Sequence, residues 1–327
     1  MRVLVTGGAG YIGSHAVRLL LARGHDVWVF DDLSKGHRKA VPAERLIVGG
    51  LAETPRLDHA LLTHRIEAVL HFAALCYVGE SVKDPGKYYQ NNLVNTLNLL
   101  ECARRQGIGR FVFSSTAATY GIPQKVPITE DAPQQPINPY GAGKLAVERV
   151  LADYATAYGW GYAALRYFNA AGASSDGAIG EDHDPETHLI PLAIQAALGK
   201  KPHLDVFGTD YPTPDGTCVR DYIHVEDLAE AHLLALERLQ PGKGLRYNLG
   251  TGRGYSVREV VQTVEAVTGK RVPVREVPRR AGDPPALVAS ADKIRRELGW
   301  QTRFAELRPI IETAWSWHRT HPRGYGD

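Results

Sequence analysis

The chain has 327 residues, 44% apolar and 23% charged, a composition that excludes disorder, collagen-like repeats and a disulfide scaffold. Its 38 Lys and Arg against 36 Asp and Glu leave a net +2, which sets up no broad field for nucleic acid or an anionic membrane. Cys76, Cys102 and Cys218 form no close-spaced pair, and no apolar run approaches the roughly 18 residues of a bilayer span. A soluble α/β protein of the cytoplasm is expected, without a leader, because the chain enters a strand-like run at once. Residues 3–6, 26–30, 45–48, 68–72, 111–114 and 162–167 are β-branched or apolar and predict strands. Between them, 12–23, 56–63, 88–106 and 140–158 carry apolar residues at helical spacing. Apolar strands alternating with helices predict a doubly wound parallel sheet, the Rossmann arrangement. From about Ala171 the texture turns to Gly, Asp and Pro, with helical stretches at 189–198, 226–240 and 257–268. Two domains are expected: 1–170 for a dinucleotide, and a smaller α/β unit at 171–327 with segments returning to the first.

Gly7-Gly8-Ala9-Gly10-Tyr11-Ile12-Gly13 follows the first strand and opens the first helix. A turn without side chains there lets a pyrophosphate approach backbone amides at the positive end of the helix. The second strand ends in Phe30-Asp31-Asp32, and Asp31 stands 24 residues after Gly7. A carboxylate at that point accepts from ribose hydroxyls and repels a 2′-phosphate, so NAD is the expected cofactor.

Tyr140-Gly141-Ala142-Gly143-Lys144 puts a phenol and an ammonium on one helix face. A phenol titrates near 10, and a neighbouring Lys together with the positive charge of an oxidised nicotinamide is expected to bring it down toward a usable base. Ser114-Ser115-Thr116 ends the fifth strand, at the edge where open α/β sheets hold ligands. Thr116 offers a hydroxyl to relay a proton. Glu181-Asp182-His183-Asp184 with His188 matches no zinc spacing, reads as a solvated acidic loop, and predicts no metal.

These residues resemble the extended short-chain dehydrogenase/reductase family, whose Gly-x-x-Gly-x-x-Gly pattern is met by Gly7, Gly10 and Gly13. The likeness runs end to end. It continues through His71-Phe72-Ala73-Ala74, Tyr88-Tyr89-Gln90-Asn91-Asn92, Phe113-Ser114-Ser115-Thr116 and Leu165-Arg166-Tyr167-Phe168-Asn169. In the second half it is carried by Val219-Arg220-Asp221-Tyr222-Ile223-His224, Tyr247-Asn248-Leu249-Gly250 and Arg279-Arg280-Ala281-Gly282-Asp283. The resemblance implies reversible inversion of carbon 4 in UDP-galactose and UDP-glucose through a transient 4-keto sugar, with Tyr140, Lys144 and Thr116 catalytic. It implies NAD contacts from Gly7, Gly10, Tyr11, Ile12, Gly13, Asp31, Leu51, Phe72, Ala73, Ala74, Asn91, Ser114, Tyr140, Lys144 and Phe168. It implies a UDP-sugar held by Thr116, Tyr140, Asn169, His188, Leu189, Arg220, Arg280, Asp283 and Leu287. A homodimer formed through helices 88–106 and 140–158 is implied as well.

Some positions depart from the family pattern. Cys76 stands where several members carry Lys, and is expected to be a small buried residue. Gly50 stands where an Asp often contacts adenine, leaving the Leu51 backbone to contribute. Leu287 falls at a gate near sugar carbon 2 and is smaller than the Tyr of narrow-specificity members, so N-acetylated UDP-sugars are expected to fit. Ala117-Ala118 follow Thr116, so the extra acid or base that a dehydratase needs just after the strand is missing.

Overall fold

The computed structural model describes residues 1–280 and 283–326, so Ala281 and Gly282 of the Arg279–Asp283 motif lie outside the described residues. The first strands are β1 (Arg2–Thr6), β2 (Asp26–Asp31), β3 (Leu46–Val48), β4 (Ala68–His71), β5 (Arg110–Thr116) and β6 (Gly161–Tyr167). They continue through β7 (Asn169–Ala171), β8 (Leu204–Phe207), β9 (Val219–His224) and β10 (Gly244–Leu249) to β11 (Gly254–Ser256), β12 (Val274–Val277) and β13 (Ala286–Leu287). The first six join β10 in one seven-stranded sheet, ordered β10-β6-β5-β4-β1-β2-β3, with every pairing parallel. The strand order reverses between β1 and β4, which opens the ligand crevice beyond their carboxyl ends. Val3, Leu4, Val5, Val69, Leu70, Val112 and Phe113 are wholly buried, as expected of strands covered on both faces.

The helices are α1 (Tyr11–Ala22), α2 (Thr54–Thr63), α3 (Val78–Lys83), α4 (Pro85–Tyr89), α5 (Asn95–Arg105) and α6 (Pro139–Tyr158). They continue as α7 (Leu189–Ala197), α8 (Val225–Arg238), α9 (Val257–Thr268), α10 (Asp292–Leu298) and α11 (Leu307–Thr320). One face of the large sheet packs under residues of α1 and α8, the other under α2, α5 and α6. Strand β10 and helix α8 therefore come from the second half of the sequence and complete the sheet built by the first. No helix among the described residues is long and apolar enough to cross a membrane.

The single helix predicted over 88–106 is three pieces: α4, a π-helical turn at Gln90–Val94, and α5. The cause is Asn92, whose side chain accepts from the Leu75 N–H and donates to the Leu75 carbonyl, both at 2.8 Å. A wider turn brings that amide to the loop after β4, and such turns concentrate at functional sites. Strand β5 runs two residues past the predicted end, carrying Thr116 inside the ladder opposite Tyr167.

The second half holds short strands: β11, β13 and β7 around β9, and β12 with β8. Asp221 ties them together. Its buried carboxylate accepts from the backbone N–H of Thr251 (2.8 Å), Gly252 (3.0 Å) and Ala289 (3.1 Å) and from the Thr251 hydroxyl (2.8 Å). Three chain segments converge on one side chain.

Candidate active site

The glycine turn is fixed by its own crowding. Gly7 sits at φ +69°, and a Cβ there would lie 2.4 Å from the Ala73 backbone nitrogen. The turn is thus pressed against the end of β4, where Phe72 and Ala73 both donate backbone N–H groups to the Thr6 carbonyl. Gly10 caps α1 without any side-chain hydrogen bond, and no acid occupies the first turn. The N–H groups of that turn, at Tyr11, Ile12 and Gly13, lie at the positive end of the helix with no capping side chain. Asp31, buried at the end of β2, accepts from the Ala9 N–H through Oδ2 and from the Leu33 N–H through Oδ1, both at 2.9 Å. It braces the glycine turn and keeps further lone pairs on each oxygen, a structural task the sequence did not announce. Burial raises its carboxyl above the ordinary value. An anion-accepting helix end beside a buried carboxylate at the end of β2 suits a pyrophosphate and a ribose.

The catalytic group is assembled by a second close approach. Asn138 caps α6 by accepting the Gly141 N–H at 2.8 Å, with Pro139 in the first turn. A Cβ on Gly141 would lie 2.5 Å from the Ala118 carbonyl oxygen, so only glycine lets the helix start settle on the backbone just beyond β5. That contact seats Tyr140 near the Thr116 hydroxyl, which favours the ionised phenol. Thr116 in turn accepts from the Ala118 N–H at 3.1 Å. One turn along α6, the buried Lys144 ammonium donates to the Ser114 carbonyl at 2.8 Å and lies 6.0 Å from the centre of the Tyr140 ring. The Ser114 hydroxyl bonds that of Tyr167. Beneath, Ser115 donates to Glu148 at 2.5 Å, and Glu148 pairs with the buried Arg166 at 2.6 Å.

Burial pushes the Tyr140 phenol well above its ordinary value, with Tyr167 and Cys76 adding to the rise and the Thr116 hydroxyl opposing it. Burial also brings Lys144 down to about 8. In this arrangement the ammonium is engaged by the Ser114 carbonyl, and loss of solvent dominates both groups. His71 is buried and held to about 3, bridging Thr6 (2.7 Å) and Thr96 (2.8 Å) as a neutral ring behind the site. Its hydrogen-bonding role went unread, because both partners lie on other elements.

The remaining predicted residues lie on strand ends, loops and helix starts of both halves. Phe72 packs on the ring of His232 with centroids 4.7 Å apart, and Ala74 continues the chain beyond β4. Asn91 lies on the π-helical turn and donates to Asn92 at 2.9 Å. Phe168 links β6 to β7 and donates its N–H to the Leu249 carbonyl at 3.3 Å. Leu51 is buried after β3, and its carbonyl accepts from Asn98 at 3.4 Å. Across the cleft, Asn169 donates to the Asp221 carbonyl at 2.9 Å. Arg220 pairs with Asp283 at 2.5 Å, and Leu287 on β13 sits in register with Arg220 on β9. The Arg280 carbonyl accepts the Asp283 N–H at 3.4 Å, and its guanidinium lies 3.9 Å from the centre of the Phe207 ring. His188 caps α7, and Leu189 opens it.

Two further expectations are corrected. Cys76 is exposed, because it sits in the irregular stretch between β4 and α3 rather than under a helix. The 181–184 stretch is no solvated acidic loop: Glu181 is 4% exposed, lying under α11, where Trp317 donates to its carbonyl at 3.2 Å.

Residues 3–250 match the model of the NAD dependent epimerase/dehydratase family. A UDP-glucose 4-epimerase of Lacticaseibacillus casei is 51% identical over 100% of this chain and 99% of its own length. The crystal structure of UDP-glucose 4-epimerase from Brucella ovis in complex with NAD superposes with a TM-score of 0.92 at 52% identity, covering 96% of this chain and 97% of that one. That of the Bifidobacterium longum enzyme in complex with NAD+ and UDP gives 0.94 at 38% identity, covering 99% and 100%. With these likenesses spanning the glycine turn, the Tyr140 helix and the Arg220 strand alike, the chain belongs to the NAD dependent epimerase/dehydratase family.

Proposed function

We propose that this protein interconverts UDP-galactose and UDP-glucose by inverting carbon 4 of the sugar, with NAD as a resident cofactor. The observation that carries the reading is the seating of Tyr140 beside Thr116 at the carboxyl end of β5, with Lys144 one turn behind. Gly7, Gly10, Tyr11, Ile12, Gly13 and Asp31 would hold the pyrophosphate and ribose, while Ser114, Lys144 and Phe168 border the nicotinamide end. Leu51, Phe72, Ala73, Ala74 and Asn91 complete that half. Bound NAD supplies a hydride acceptor and donor together with a positive charge beside the phenol. Tyr140 takes the proton of the sugar 4-hydroxyl, with Thr116 orienting or relaying it, and returns it once the 4-keto sugar has turned. Burial raises the phenol, and the positive charge that the cofactor would bring beside it acts in the opposite direction.

A sugar can turn without escaping only if most of the binding lies on the nucleotide. Arg220 and Arg280 offer forked donors to the diphosphate, with Asp283, Asn169, His188 and Leu189 around them. The Ala117-Ala118 pair after Thr116 leaves no side chain there to eliminate water, which favours epimerisation over dehydration. Residues 1–170, completed by α8 and β10, would serve NAD, and the rest of 171–327 the UDP-sugar. Association as a homodimer in the cytoplasm belongs to the same reading. It is supported by half-buried apolar side chains on adjacent helices, Leu97 on α5 and Val150 and Tyr154 on α6, beside the exposed Val94. Purified protein given UDP-galactose and no added cofactor is expected to form UDP-glucose. Retained NAD with no interconversion would instead mark a nucleotide-sensing protein without turnover.

A further inference from the structure

Glu181, His183, Glu186 and His188 fall within eight consecutive residues between β7 and α7, and their side chains converge. His183 Nδ1 lies 3.1 Å from Glu181 Oε1 and 3.7 Å from Glu186 Oε2. His188 Nδ1 lies 2.8 Å from the same Glu181 oxygen and 3.0 Å from Glu186 Oε1. All four ligand-type atoms sit within 4.8 Å of one another. Both carboxylate side chains are nearly sealed, 4% and 5% exposed.

Two buried carboxylates side by side demand positive charge at the point where they meet. Two protonated imidazoles, each lying between the two carboxylates, meet that demand with their rings 5.1 Å apart. One divalent ion with two neutral imidazoles supplies the same charge from a single centre. Around a tetrahedral ion with N and O ligands at about 2.0 to 2.2 Å, adjacent ligand atoms lie about 3.3 to 3.6 Å apart. The 3.7 Å contact is near that range, while those of 2.8, 3.0 and 3.1 Å are hydrogen-bond lengths that would lengthen by a few tenths of an ångström around an ion. The scaffold is already braced: Glu186 Oε1 accepts the N–H groups of Thr187 (2.7 Å) and His188 (2.8 Å), and Trp317 holds the Glu181 carbonyl.

We infer that Glu181, His183, Glu186 and His188 form a binding site for one divalent transition-metal ion, zinc by its donor set, which closes the loop ahead of α7. Two imidazole nitrogens and two carboxylate oxygens suit zinc better than the all-oxygen shells of calcium or magnesium. With all four positions filled by protein, the site is a structural clamp that fixes the start of α7, and it takes no part in moving protons or hydride.

The site goes beyond the proposed reaction, and its test reads metal rather than turnover. Chelator-stripped protein is titrated with zinc chloride by calorimetry, and bound zinc is counted by mass spectrometry. One zinc per chain is expected, together with a melting temperature that climbs with zinc concentration. The double variant His183→Gln/Glu186→Gln should lose more than about 100-fold in zinc affinity. Cobalt(II) added to the stripped wild-type protein should give the intense visible bands of a tetrahedral site, a readout that does not depend on how the variant folds. Wild-type protein that takes up no zinc, a double variant that keeps its zinc, or the weak spectrum of octahedral cobalt would each overturn the assignment.

Discussion

Both halves of the molecule bury an apolar core, with Ile194, Val260, Val264 and Ile311 enclosed in the smaller one, but the smaller half adds a second device. The seven-stranded sheet rests on apolar burial, with Val3, Val5, Leu70 and Phe113 wholly enclosed between helical layers. The smaller half has strands of two to six residues, joined by carboxylates that collect backbone N–H groups from distant loops. Asp221 gathers three such groups, and Asp227 accepts those of Arg303 (2.9 Å) and Phe304 (3.0 Å). The lesson is one of tolerance. An apolar layer spreads its stabilisation over many side chains, whereas a carboxylate hub concentrates it in one, and Arg220 and Leu287 hang from such a hub.

The sharpest break in this comparison is chemical. Tyr140→Phe removes the phenol proposed to move the proton and should lower turnover by about 10² to 10⁴-fold, the range for a lost acid–base group. UDP should still bind, as calorimetry would register. Turnover within about tenfold of wild type would remove Tyr140 from the chemistry.

Stability distinguishes the halves next. Asp221→Ala strands several buried N–H groups and should cost about 3 to 5 kcal/mol, against about 2 to 5 kcal/mol for Leu70→Ala in the sheet. Denaturant unfolding measures both. The hub account predicts that Asp221→Ala also weakens UDP binding, while Leu70→Ala leaves it near wild type. Equal effects on UDP binding would erase the distinction.

Acid should act on both halves, through His15, His71 and His232 in the large sheet and its covering helices and through His224 on β9. His15 and His232 are held by burial to about 4, and His71 and His224 to about 3, against an ordinary 6.5. Their folded-state values are depressed, so between those values and 6.5 the unfolded chain binds more protons. The stability they allow is complete above pH 6.5 and falls as pH drops toward 4, by about 1.4 kcal/mol per pH unit for each ring. A melting temperature that stays level from pH 6.5 to 5 would contradict this.

The smallest effect concerns selectivity. Leu287→Tyr fills space beside Arg220 and should reduce use of UDP-N-acetylglucosamine relative to UDP-glucose by about 10-fold or more. An unchanged ratio of kcat/KM values would separate Leu287 from sugar carbon 2.

Legibility follows the same division. The glycine turn, the strand-end Ser114-Ser115-Thr116 and the Tyr140–Lys144 pair could be read because each is local: a turn at a strand end or two residues on one helix face. The sheet could be read because its strands are continuous apolar runs. Asp221 gave no comparable signal, since its partners lie 30 and 68 residues further along the chain. Glu181 looked solvated because the tryptophan that covers it stands 136 residues away. The π-helical turn at Gln90–Val94 was hidden inside a periodic helical pattern, and only the paired Asn91 and Asn92 hinted at it. What escaped was set by contacts between segments far apart in the chain.

The place of β10 at the edge of the large sheet bears on how the protein is made. Strand β6, buried along its whole length, pairs on one side with β5 and on the other with Gly244–Leu249. A nascent chain emerging from the ribosome therefore exposes a bare, apolar hydrogen-bonding edge for about 80 residues of synthesis, some 4 to 16 seconds at ordinary elongation rates. Such an edge invites pairing with a neighbouring polypeptide. The half that looks most self-sufficient on paper is the one that must wait longest for its final piece.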